Sequence, residues 1–193
     1  MPVRVLREPM TRTELEVVQA FIRWANHPRL TSTAEVNAVF RSVPSEWAQR
    51  DWVGHVPLEN LEADRKMARK WIADIMRNDR KRVTALVGVI NGLLDKWVAG
   101  AKPKLEPETL RLRYDSPVPG GVQGVMVLGA ALILSKGFTD RIRQCNYKGN
   151  KALRVGPCKN FVFTPPARGR PAVFCSDKHR KAQEVVRVSR YRL

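Results

Sequence analysis

Along most of the chain, apolar residues return every three or four positions between short breaks rich in proline and glycine, a pattern that predicts helices packed around a core. Leu15, Val18, Ile22 and Ala25 fall on one face behind a capping box at Thr13-Glu-Leu-Glu16, and Pro28 ends that helix. A second box, Ser32-Thr-Ala-Glu35, precedes Val36, Val39 and Phe40, with Pro44 closing the segment. Residues 42–57 carry Trp47 and Trp52 among prolines and read as a packed connection. A long helix is predicted over 58–78, with Leu61, Ala68, Ile72 and Ile75 inward and Arg65, Lys66, Arg69 and Lys70 on a charged outer face. The most regular spacing lies over 80–98, where Val83, Leu86, Val87, Ile90, Leu93, Leu94 and Trp97 mark one side of a second long helix. Asn78-Asp-Arg-Lys-Arg82 joins the two into an antiparallel hairpin.

The period changes after Gly100 and Pro103, which open a linker. Leu110, Leu112 and Tyr114 alternate with Arg111 and Arg113, the signature of a short half-buried strand, and Pro117 to Gly121 reads as a turn. Residues 122–141 are apolar nearly all round and predict the core helix, with Gly124, Gly129 and Gly137 permitting close packing. The longest apolar run, Gly124 to Leu134, is too short to span a bilayer, and no Arg-flanked apolar segment opens the sequence. A cytoplasmic protein without a membrane partner is expected. The fold class is mainly α: a helical domain over 1–140, then a small basic α+β module over 141–193.

Charge sharpens that boundary. The net charge is +17, yet residues 1–140 hold 21 Lys and Arg against 16 Asp and Glu, while residues 141–193 hold 14 against 2. So uneven a distribution is the electrostatic footprint expected of a polyanion-binding segment. Lys148, Lys151, Arg154, Lys159, Arg168, Arg170, Lys178, Arg180, Lys181, Arg187, Arg190 and Arg192 supply candidate phosphate contacts; Arg168, Arg170, Lys178, Arg180, Lys181, Arg187 and Arg190 are the expected nucleic-acid-binding set. DNA is favoured over RNA as the partner, although base readout does not follow from a count of cations.

All three cysteines also lie in this segment. Cys145, Cys158 and Cys175, with His179 four residues beyond the last, make a thiolate-rich set suited to zinc. A residue four positions along a helix shares its face, so Cys175 and His179 can reach one ion. Phe161-Val-Phe163 and Ala172-Val-Phe174 flank a turn-rich Pro165–Pro171 and predict a β-hairpin, and Ser176 is a candidate helix N-cap. Ligand loop, hairpin and ligand-bearing helix in that order is a treble-clef arrangement. Four protein ligands leave no open position, so the zinc would be structural. The segment is too small and too basic to build a core without such a staple.

Arg141-Ile-Arg-Gln-Cys145, Pro157-Cys-Lys-Asn-Phe161 and Phe174-Cys-Ser-Asp-Lys-His179-Arg-Lys-Ala182 together resemble the C-terminal zinc finger of the bacterial CGNR family, in which the finger follows an all-helical ABATE domain. The resemblance implies DNA binding and transcription regulation. It departs from the family at three points. Twelve residues, Asn146 to Pro157, replace a two-residue knuckle; His179 stands where a cysteine is usual; and the CGNR tetrapeptide is absent. The long spacer makes Cys145 the least secure ligand.

No P-loop, GxGxxG, HExxH or GxSxG occurs, and His27 and His55 lie far from the cysteines in sequence. Cys175 with His179 as base would be a nucleophile pair, but no orienting Asn or Asp is identifiable, and a metal accounts for the other two cysteines as well. The expectation is therefore a non-enzymatic, zinc-containing, nucleic-acid-binding protein, with a helical domain that senses or forms a homodimer. The alternatives are a protein-interaction module with a purely structural finger, or an RNA-binding protein.

Overall fold

A computed structural model describes residues 9–29, 32–43, 57–97, 104–105, 112–113, 122–149, 155–165 and 172–190. The chain divides into two compact units, Met1–Asp140 and Arg141–Leu193. The first is built from α1 (Arg12–Asn26), α2 (Thr33–Phe40), α3 (Leu58–Arg77), α4 (Arg80–Trp97) and α5 (Val122–Ser135), with a two-residue antiparallel pair between β1 (Lys104–Leu105) and β2 (Leu112–Arg113). The second holds β3 (Ile142–Gln144), β4 (Phe161–Phe163) and α6 (Asp177–Arg190). The protein is mainly helical. No helix among the described residues is long and apolar enough to cross a membrane.

The first helix starts one turn-fraction earlier than its sequence signal suggests. Thr11, not Thr13, is the N-cap: its Oγ1 accepts the Glu14 amide at 3.2 Å, and its own amide donates to Glu14 Oε2 at 2.7 Å. Two overlapping Thr-x-x-Glu frames occur here, and the one whose glutamate can be buried is used. Glu14 is buried and lies 3.7 Å from Lys136 Nζ. Leu15 is only half-buried, whereas Phe21 and Trp24 are wholly enclosed, because α1 packs on α2, α3 and α5 and needs more than one apolar face. Ser32 takes the predicted N-cap position of α2, but its side chain makes no capping bond.

The hairpin of α3 and α4 forms as predicted, with Leu61, Ala68, Ile72 and Ile75 of α3 and Val83, Leu86, Val87, Ile90 and Leu94 of α4 buried. Asn78 turns the corner at φ 49°, the left-handed conformation that asparagine tolerates at a helix end. Trp71 also enters the core. The outer face of α3 is more than a solvated charge run: Arg65 NH1 and Arg69 NH1 each donate at 2.8 Å, to the carbonyls of His27 and Ala25. These are carbonyls at the end of α1 that lack intrahelical partners, so the arginines close that helix end.

Helix α5 is buried along nearly its whole length and sits against α1, α3 and α4. Its Gly129 is where α1 comes closest: a Cβ there would lie 2.6 Å from Phe21 Cβ. Gly137 does not belong to the helix, which stops at Ser135. At φ 70° it ends α5 in a Schellman motif, its amide bonded to the Leu134 carbonyl at 3.2 Å and the Phe138 amide to the Ile133 carbonyl at 3.0 Å. A 3-10 turn at Thr139–Arg141 follows. The predicted connection around Trp47, Trp52 and His55 and the turn at 117–121 lie outside the described residues, as does most of the predicted strand at 110–114.

Candidate metal centre

The second unit contains a strand pair, but not the predicted hairpin. Phe161–Phe163 pairs antiparallel with Ile142–Gln144, Ile142 opposite Phe163 and Gln144 opposite Phe161. Residues 172–174 form no strand; the Val173 carbonyl accepts the Asn146 amide at 2.8 Å, and the Ala172 amide reaches Thr164 Oγ1 at 2.6 Å. Proline explains the difference. Pro165 and Pro166 directly after β4, and Pro171 before Ala172, remove amides that a hairpin ladder would need.

This pairing sets the ligands in place. The ladder continues one step past β3, with the Cys145 amide donating to the Asn160 carbonyl at 2.8 Å. The two described ends of the twelve-residue spacer then meet. The Cys158 amide donates to the Tyr147 carbonyl at 3.0 Å, and Gly149 packs against Val155 at φ 83°, where a side chain would collide with the Val155 carbonyl. Cys145 and Cys158 are therefore brought together despite their separation in sequence. Ser176 caps α6, its Oγ accepting the His179 amide at 3.3 Å, which puts His179 in the first helical turn and Cys175 just ahead of it.

The ligand atoms of Cys145, Cys158, Cys175 and His179 all lie within 4.8 Å of one another, and the set could hold a metal ion. Cys145 Sγ is 3.7 Å from His179 Nδ1, Cys158 Sγ is 3.7 Å from Cys175 Sγ, and Cys175 Sγ is 3.0 Å from His179 Nδ1. Metal–ligand bonds of about 2.3 Å to sulfur and 2.0 Å to nitrogen at tetrahedral angles put sulfurs about 3.8 Å apart and sulfur about 3.5 Å from nitrogen. Two of the three separations match, and the third is shorter by a shift that a side-chain rotation supplies. Cys145, the ligand in most doubt on sequence grounds, is inside the cluster.

Amides point at the sulfurs. Cys175 N–H lies 3.4 Å from Cys145 Sγ, Asn160 N–H 3.4 Å from Cys158 Sγ, and Asn160 Nδ2 3.9 Å from Cys175 Sγ. Burial pushes the Cys145 thiol up, but the Cys175 and Tyr147 amides and the neighbouring thiols outweigh it and hold that thiol below its usual value. Cys175 goes the other way. Burial, then hydrogen bonds to Cys145 and Cys158 and their charge, push its thiol up to about 12. Three thiolates this close would repel one another, and a cation bound among them would relieve that repulsion.

The site and the core of this unit are the same residues. Cys145, Tyr147 and Val162 form a buried cluster, against which Cys158, Phe174, Cys175 and Ala182 pack. Tyr147, which sequence reasoning missed, stacks on the His179 ring with centroids 4.6 Å apart and planes 6° from parallel. An aromatic residue two positions past a ligand was the available signal. His27 ends α1 and is not part of the cluster.

The seven residues read as the nucleic-acid-binding set divide three ways. Lys178, Arg180 and Lys181 are exposed on α6. Arg187 and Arg190 are on α6, with side chains outside the described residues. Arg168 and Arg170 lie outside the described residues altogether. No family model, curated protein or solved structure matches the chain.

Proposed function

We infer that this is a zinc-stapled nucleic-acid-binding protein, in which residues 141–193 make the contact and the zinc is structural. What carries the reading is the convergence of all three cysteines and His179 at near-tetrahedral spacing, inside the segment that holds 14 of the 35 basic residues. A set of three sulfurs and one imidazole nitrogen is soft enough to favour zinc, and four protein ligands complete its coordination. Cys175 is a ligand in this reading rather than a nucleophile, because its sulfur lies in one cluster with Cys145, Cys158 and His179. The protein is not an enzyme on this account. The resemblance to CGNR fingers supports a treble-clef-like module, an ABATE-like role for the helical unit, and a DNA-binding regulator as the specific assignment.

Purified full-length protein, measured for metal content and titrated with a labelled DNA duplex, tests the reading. About one zinc per chain is expected, with affinity that falls linearly with salt on a log–log scale. The Cys175→Ser variant should lose both the metal and the binding. Full duplex affinity in a metal-free Cys175→Ser protein would refute the coupling of metal to function.

A further inference from the structure

Residues 141–193 contain only two acidic side chains, Asp177 and Glu184. Both are on α6, and both are bound by the same residue: Arg180 Nε is 3.2 Å from Asp177 Oδ1, and its NH1 is 3.2 Å from Glu184 Oε1. Positions 177, 180 and 184 follow the i, i+3, i+7 spacing of one helical stripe. Lys178, Lys181 and Val185 make the adjacent stripe by the same spacing. Both lysines are exposed and make no ion pair among the described residues, and Val185 is 66% exposed. The remaining side is inward, with His179 in the metal cluster and Ala182 packed on the core of the unit. Over residues 177–185 the helix thus has a buried face, a face on which Arg180 is held between two carboxylates, and a cationic face with an exposed apolar residue.

We propose that the Lys178–Lys181–Val185 face of α6 is the surface that meets nucleic acid, that its partner is B-form duplex DNA, and that Arg180 is not a contact residue. The proposal rests on the functional reading above. Two ammonium groups one turn apart and free of internal carboxylates are available to phosphates, whereas Arg180 would first have to leave two partners. An exposed valine beside them gains by contact with sugar carbons or a thymine methyl. A helix face enters the wide major groove of B-form DNA, while the deep, narrow major groove of A-form RNA does not admit side chains for reading. The metal ligand His179, in the first turn, fixes the pitch of the helix at the end where the lysines sit.

The test uses full-length, zinc-loaded protein as wild type, Lys178→Ala/Lys181→Ala and Arg180→Ala, each titrated over a salt series with a DNA duplex and a double-stranded RNA of the same sequence. These side chains are exposed and hold no ligand, so zinc content and circular dichroism should match the wild type. Losing two phosphate contacts should reduce the log–log salt slope on DNA by about 1.8 and weaken binding about tenfold. Arg180→Ala should leave the slope unchanged, and wild type should prefer DNA to RNA. An unaltered slope in the lysine variant, an equal reduction of the slope in Arg180→Ala, or equal wild-type affinity for both duplexes would overturn the surface assignment while leaving the functional reading in place. A wild type that binds no nucleic acid at any salt would sink both.

Discussion

The two units of this chain solve the same problem in opposite ways. The helical unit encloses Phe21, Trp24, Leu61, Ile72, Ile75, Ile90, Leu94, Met126, Leu132, Ile133 and Leu134 completely, so its order comes from apolar burial. In the basic unit the buried side chains among the described residues are Ile142, Cys145, Tyr147, Phe161, Val162 and Thr164, and half of that small set surrounds or belongs to the thiol cluster. Cations that repel one another surround it. Where the first unit is held by area, the second would, on the proposed zinc reading, be held at a point, and they should respond to different insults.

Metal removal gives the largest expected separation. Structural zinc contributes on the order of 10 kcal/mol to the folding of small fingers, far more than the few buried residues of the basic unit supply. A chelator should expose residues 141–193 to protease and leave the thermal transition of the helical unit where it was. Equal protease resistance of that segment with and without metal would end the distinction between the units. Acid should act in the same direction as chelation, since the ligands must be deprotonated to bind and protons compete as pH falls.

The reverse experiment strikes the helical unit alone. In Gly129→Ala the added carbon would sit 2.6 Å from Phe21 Cβ and 2.9 Å from Phe21 Cγ. Phe21 cannot avoid it by rotating its ring, because the clash begins at its own Cβ. Overpacking of this kind costs about 1–3 kcal/mol, which the better helix propensity of alanine offsets only partly. Urea denaturation should show the loss, with metal content unchanged; a variant as stable as the parent would mean that α1 and α5 are less closely packed than described.

The smallest effect concerns Asp64, a buried carboxylate of the helical unit. Asp64 accepts from Gln123 Nε2 at 2.9 Å, and burial raises its carboxyl above the usual value, against the opposing effect of that bond. With the folded value above the unfolded one, the folded state holds the proton longer. Stability contributed by this group is therefore present at low pH and is lost as pH rises through the window between the two values. Asp64→Asn keeps an acceptor for Gln123 and removes the charge. It should be more stable than the parent at neutral pH, by no more than about 1 kcal/mol, and no different below the window; stability curves in urea at pH 3 and pH 7 check this.

The same contrast governs how much the sequence disclosed. Helices α3 and α4 are visible because their apolar residues follow one period and one face, and the Ser176 cap of α6 is visible because a single hydroxyl precedes a single helix. Helix α1 is harder to place, since Thr11 and Thr13 both open a Thr-x-x-Glu frame and only burial of Glu14 decides between them. In the basic unit the four residues of the cluster could be named from residue type and the Cys175–His179 spacing. Their assembly could not, because Phe161-Val-Phe163 finds its partner 19 residues upstream at Ile142–Gln144 rather than across the nearby turn. Tyr147 was invisible for a related reason: its stacking on His179 depends on a loop that closes through tertiary contacts.

That loop also says something about how this protein can be lengthened. With Gly149 against Val155 and Tyr147 bonded to Cys158, the two ends that flank residues 150–154 lie close together. Doubling the length of a segment between such fixed ends costs only about 0.6 kcal/mol in closure entropy. An epitope or a fluorophore-binding peptide spliced between Gly149 and Val155 should therefore cost little stability and leave those closing contacts as the base of a cargo site.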